Sequence, residues 1–76
     1  MLIADGYDEA LVGVTTDGLA VYDNYKIISI LMERDGMDED EAIEFFDFNI
    51  AGSYMGKETP IFMYFDDNVL EFENVG

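Results

Sequence analysis

Carboxylates are the only abundant side chains in this sequence that could do chemistry. The chain has 18 Asp and Glu residues, no histidine and no cysteine. Its two serines, Ser29 and Ser53, do not follow the strand–turn–helix pattern of a hydrolase nucleophile. Paired carboxylates can act as acid and base or hold Mg²⁺, but so many acids bring some pairs together by chance. We therefore expect no enzyme, no catalytic residue and no cofactor.

Two acidic runs, at residues 38–40 and 66–68, superficially resemble parts of a calcium loop. An EF-hand loop also requires glycine at its sixth position and glutamate at its twelfth. Counted from Asp38, the sixth position is Ile43. The sequence therefore predicts no metal site.

The net charge of −15 restricts the classes of partner. Nucleic acids and anionic membranes repel such a chain, whereas a basic protein surface attracts it. We therefore predict a basic protein surface as partner, with nucleic-acid-binding host proteins as the leading class. The alternative is that the acidity serves solubility.

The densest run of acids falls on a predicted helix. Carboxylates on successive helical turns recur about every 5.4 Å, so a rigid acidic helix can present charge as a nucleic-acid backbone does. A second acidic patch follows near the C-terminus. The predicted acidic partner-binding residues of the two patches are Glu39, Asp40, Glu44, Asp47, Asp66 and Asp67.

Aromatic side chains provide an alternative binding surface. Phe48 lies off the apolar stripe of its helix, and Tyr54 and Tyr64 could be polar-tipped aromatics of an interface. In this alternative the protein forms a homodimer or joins an assembly through these residues and neighbouring methionines.

The first elements that would position these residues form a β-hairpin. Residues 10–16 (ALVGVTT) read as a strand, Asp17-Gly18 as the turn and residues 19–22 as the returning strand. The Asp23-Asn24 pair then predicts the start of a helix over residues 25–34, with Gly36 as its left-handed end.

A second helix is predicted from an acidic capping box formed by Asp38 and Glu41, with Met37 packing at its entry. Its apolar stripe is predicted to contain Ala42, Phe45, Phe46, Asn49 and Ile50.

Pro60 opens a third strand over residues 61–65, and residues 69–72 read as a fourth. We therefore predict one α+β domain over residues 1–76, in the order β-β-α-α-β-β. Two helices would pack on one face of a small antiparallel sheet. In the alternative, residues 69–76 form an irregular tail.

The expected location is the cytoplasm of a bacterial host. The lack of cysteine fits a reducing compartment. No apolar run approaches the roughly 18 residues needed to span a bilayer.

Two motifs carry a family resemblance: RDGM at residues 34–37 and EAIEFFDFNIAGSYMG at residues 41–56. With them, residues 7–63 resemble short uncharacterised acidic proteins encoded by bacteriophages and prophages. That group carries no assigned activity, so the resemblance implies a setting and no mechanism. Small acidic phage proteins include DNA mimics and anti-CRISPR or anti-restriction inhibitors, and we expect a function of this kind.

Overall fold

A computed structural model describes residues 1–53 and 56–65 and confirms the expected α+β class. None of its helices is long and apolar enough to cross a membrane in this described part of the chain. Its elements, after a 3₁₀ turn at Asp8–Ala10, are β1 (Leu11–Val14), β2 (Ala20–Asp23), α1 (Asn24–Asp35), α2 (Glu39–Phe45), a π-helical segment (Phe46–Ala51) and β3 (Ile61–Met63).

The predicted hairpin is confirmed, with β1 and β2 paired antiparallel. The Thr15 N–H donates to the carbonyl of Leu19 at 2.8 Å, and the Gly18 N–H donates back to the carbonyl of Thr15 at 2.9 Å. Gly18 has a φ of +85°, which side chains with a Cβ rarely adopt. The sequence Asp17-Gly18 therefore determines where the chain reverses.

Helix α1 is capped as its sequence predicts. The Asp23 carboxylate accepts a hydrogen bond from the Tyr25 N–H at 3.0 Å at the start of the helix. At the other end Gly36 has a φ of +70°, and its N–H donates to the carbonyl of Leu31. Ile27 and Leu31 are fully buried on one face of α1, so the helix is amphipathic towards the core.

Helix α2 begins with the predicted capping box. The Glu41 N–H donates to the Asp38 carboxylate at 2.8 Å, and the Asp38 N–H donates to the Glu41 carboxylate at 3.3 Å. Beyond Phe45 the helix widens into the π segment, in which hydrogen bonds span five residues instead of four.

The wider turn corrects one core prediction. Asn49 was expected on the buried stripe but is exposed, whereas Ala42, Phe46 and Ile50 are buried. The predicted stripe assumed the α-helical period of 3.6 residues, and the larger π turn rotates Asn49 towards solvent.

The sheet is mixed and has the order β1-β2-β3. β3 runs parallel to β2, with Tyr22 beside Phe62, so the prediction of an antiparallel sheet is wrong at this pair. Neighbouring parallel strands require a crossover connection, which here contains α1, α2 and the π segment. The predicted fourth strand, residues 69–72, lies outside the described residues.

The core lies between the helices and one face of the sheet. Tyr22 is fully buried and stacks on Phe62 with ring centroids 5.7 Å apart. Phe62 in turn contacts Phe46 of the π segment edge-on at 5.5 Å. The Tyr22 hydroxyl accepts a hydrogen bond from the Ala4 N–H at 2.8 Å. These contacts join both strands of the parallel pair, the second helical region and the N-terminal segment.

Two glycines permit a matched test of the hairpin. A Cβ added at Gly18 or at Gly13 would have no neighbour within 4 Å, but only Gly18 of the two has a positive φ. We predict that Gly18→Ala lowers the free energy of unfolding by about 1 kcal/mol, because left-handed backbone is costly with a Cβ. Gly13→Ala should raise it by about 0.5 kcal/mol, because the unfolded chain loses freedom. Urea denaturation of both variants would measure these changes, and equal effects would contradict the proposed role of Gly18.

Candidate binding surface

Four of the predicted acidic residues are exposed along one continuous helical stretch. Glu39, Asp40 and Glu44 are exposed on α2, and Asp47 is exposed in the π segment that continues it. Helical residues three or four positions apart are neighbours, which places Glu44 next to both Asp40 and Asp47. We call these four residues the acidic surface. The other two predicted residues, Asp66 and Asp67, lie outside the described residues.

The acidic surface is not neutralised by other side chains of the described chain. Residues 38–56 contain no lysine or arginine. The two ion pairs found in residues 1–53 and 56–65 join Arg34 to Asp35 and the N-terminal amine of Met1 to Glu58, and neither includes a residue of α2. The negative field of α2 is therefore available to a partner.

The charge density along α2 is similar to that of a nucleic acid. Residues 38–47 contain six carboxylates, and at 1.5 Å per residue they span about 14 Å of helix axis. That gives one charge per about 2.3 Å. Duplex DNA carries one per about 1.7 Å, and a single strand one per about 3.4 Å. The carboxylates in this segment are Asp38, Glu39, Asp40, Glu41, Glu44 and Asp47.

Helix stability explains some of these acids but not all of them. Glu39, Asp40 and Glu41 lie in the first turn of α2, where the helix dipole favours negative charge. Glu44 and Asp47 lie beyond that turn and receive no such benefit. These two residues therefore separate a binding role from a structural one.

The alternative aromatic residues do not share one contact in the described chain. Phe48 is 75% exposed and borders a shallow groove together with Met37, which precedes α2, and Glu44 of α2. Tyr64 is half-exposed and contacts the ring of Tyr25 edge-on, with centroids 4.9 Å apart. Tyr54 lies outside the described residues. Phe48 thus belongs to the same side of the molecule as the acidic surface.

A second acidic groove was not anticipated from the sequence. It lies between the N-terminal segment and α1, and the carboxylates of Asp8, Glu9 and Glu33 line it beside Ile30. Glu33 lies more than twenty positions from Asp8 and Glu9, and no local pattern links it to them. Only the packing of the 3₁₀ turn against α1 brings them together.

Arg34 fastens the N-terminal segment to the end of α1. Its guanidinium donates to the carbonyl of Gly6 at 2.9 Å and to the hydroxyl of Tyr7 at 3.4 Å. It also lies 5.1 Å from the centre of the Tyr7 ring. Two further hydrogen bonds, both 3.1 Å, go to the carboxylate of Asp35. The RDGM motif therefore has a structural role, because Arg34 holds the N-terminal segment and Gly36 ends the helix.

No metal-binding site is assembled in the part of the chain that the structure describes. Within residues 1–53 and 56–65 no group of three carboxylates converges as a metal site would require. The exposed acids of α2 are arranged as a surface rather than as a pocket.

Comparison with known proteins gives no relative to reason from. No family model matches the chain, and neither a curated protein nor a solved structure matches it. The resemblance of residues 7–63 to phage and prophage proteins remains a prediction.

The contact between Arg34 and Asp35 predicts a pH effect. Hydrogen bonding to Arg34 holds the pKa of the Asp35 carboxyl below its usual value. The resulting stabilisation is present above the unfolded-state pKa of about 3.9 and disappears as the pH falls through the lowered folded-state pKa. Asp35→Asn should therefore lower the melting temperature near neutral pH, and this difference from the wild type should vanish in acid.

The matched control is Asp5→Asn, which removes the same charge from an exposed residue. Thermal melts of both variants from neutral pH to about pH 2 would measure the contrast. A melting-temperature difference between Asp35→Asn and Asp5→Asn that persists at the lowest pH would contradict the assignment.

Proposed function

We propose that this protein binds a basic surface of another protein, and that the acidic surface of α2 makes the contact. One observation carries the proposal: Glu44 and Asp47 are exposed, lie beyond the helix's first turn and have no basic partner in the described chain. Charge that helix stability does not require, on a chain already at −15, costs folding energy through self-repulsion. A basic partner would offset that cost.

The chemistry of α2 favours recognition of Lys- and Arg-rich clefts. Its carboxylates would attract the partner over long range and raise the association rate. Phe48, exposed within reach of Glu44 four residues earlier, adds an apolar face on which an aliphatic stem or a guanidinium can pack. Aromatic residues, Phe among them, are enriched at protein interfaces.

The preferred class of partner is a nucleic-acid-binding protein of a bacterial host. The charge spacing along α2 falls between those of single-stranded and duplex DNA, so a cleft shaped for phosphates would accept it. Occupation of that cleft would exclude the nucleic acid and inhibit the host protein. The expected phage or prophage setting, in which DNA mimics and anti-restriction or anti-CRISPR inhibitors are known, is part of this proposal.

The second candidate function is apolar association, either as a homodimer or within an assembly. The exposure of Phe48 favours it, because an aromatic ring open to water gains from burial. The two candidates differ in their response to salt. Screening weakens contacts between exposed charges, whereas apolar contacts persist at high ionic strength.

Affinity capture from a bacterial lysate with three forms of the tagged protein would test the proposal. The forms are the wild type, a Glu44→Lys/Asp47→Lys variant and an Asp5→Lys/Glu58→Lys control. Each double variant changes the net charge from −15 to −11, because each reversal adds two positive charges. We expect the wild type and the control to capture the same nucleic-acid-binding protein. The α2 variant should capture at least tenfold less of it.

The captured protein should elute with moderate salt and also with duplex DNA. An equal fall in the amount captured by both double variants would mean that net charge, not the acidic surface, attracts the captured protein. Retention that resists both salt and DNA would contradict the proposal and favour apolar association.

A further inference from the structure

Strand β1 is an apolar sheet edge with unusual exposure. All four of its residues are exposed, including Leu11, Val12 and Val14 at 36%, 43% and 56%. Within residues 1–53 and 56–65 it pairs with β2 alone. Residues 10–16 contain no charge, in a chain in which 28% of residues are charged. Native sheets usually protect such an edge with lysine, proline, an inward-pointing charge or a β-bulge. β1 has no charge and no proline. Its register with β2 shifts between Leu11 and Gly13, and the pairing is regular at Gly13 and Val14.

The backbone of β1 has hydrogen-bonding groups directed outward. The Thr15 N–H is bonded to the carbonyl of Leu19, and antiparallel ladders alternate between bonded and outward-facing residues. The N–H and C=O of Val14 therefore point away from β2. Gly13 adds open space, because a Cβ built there would have no neighbour within 4 Å. An incoming strand would find both backbone partners and room for a side chain.

The charges that flank β1 identify its occupant. Asp8 and Glu9 precede the uncharged stretch and Asp17 follows it, and all three are exposed. A second copy paired antiparallel with β1 would bring the acidic end at Asp17 towards the acidic end at Asp8 and Glu9 of the other chain. Like charges opposite each other destabilise paired strands, and two copies would also bring together two net charges of −15. A strand with basic residues at both ends would meet favourable charges instead.

We propose that β1 is a docking edge for an extended segment of a partner protein, apolar at its centre and carrying Lys or Arg at both ends. Backbone hydrogen bonds to Val14 would supply affinity, as in other cases of strand addition. The carboxylates at the two ends of β1 would select the basic flanks. This inference concerns a surface separate from the acidic surface of α2, so it stands or falls independently of the proposed function.

Three synthetic peptides separate strand pairing from general charge attraction. The first has a centre of alternating valine and threonine with lysines at both ends. The second has the same flanks but a proline in place of a central threonine, so it keeps the charge and loses the ability to pair. The third keeps the apolar centre and has glutamates at both ends.

Amide hydrogen exchange of the whole protein, followed by NMR, would report the site directly. We expect the first peptide to slow exchange of the Val14 amide at least tenfold, and the other two to leave it unchanged. Val14→Pro should lower the affinity for the first peptide at least tenfold, because it removes the outward N–H while the bonds to β2 remain.

Three results would overturn the proposal. The proline peptide could protect Val14 as well as the first peptide does, which would leave charge as the sole attraction. Protection could instead appear on α2 and not at Val14. Finally, Val14 could become protected without any peptide as the protein concentration rises, which would identify a second copy as the occupant.

Discussion

The ring of Tyr22 is fully buried, and its contacts join parts of the fold that are far apart in sequence. It stacks on Phe62, which meets Phe46 edge-on, and its hydroxyl binds the backbone of Ala4. Aromatic pairs of this geometry are each worth about 0.5–1.5 kcal/mol beyond the area they bury. Because this core occupies one face of the sheet, the outer side of α2 and the edge strand β1 stay in solvent. The two candidate surfaces are thus consequences of where the small core lies.

The parts of the fold that follow from adjacent residues could be predicted from the sequence. The hairpin turn depends on the positive φ of Gly18, and α1 ends where Gly36 allows a left-handed residue. Helix α2 begins at a capping box that Asp38 and Glu41 form within one turn. The exposure of the acids on α2 was predictable for the same reason, since an amphipathic helix places its charged residues opposite its apolar stripe.

The remaining features depend on contacts between distant residues or on a departure from regular geometry. The direction of β3 is determined by the path of the whole crossover, and no residue near Ile61 encodes it. The π turn moved Asn49 out of the predicted stripe, because a helical period of 3.6 residues no longer applied there. The run at residues 10–16 read as an ordinary strand, and its exposure at the sheet edge became visible only once the helices were placed. The bonds from Arg34 to Gly6 and Tyr7 likewise join residues 28 and 27 positions apart and have no local signal.

The proposed function requires that α2 and a nucleic acid compete for one basic cleft. The most direct measurement is the affinity of the captured host protein for duplex DNA, determined at several fixed concentrations of this protein and at constant salt. Competition predicts that the apparent Kd for DNA rises linearly with the concentration of this protein, and that Glu44→Lys/Asp47→Lys abolishes the rise. An apparent Kd that stays constant while the complex demonstrably forms would show that the two ligands bind at separate places, and would contradict competition for one cleft.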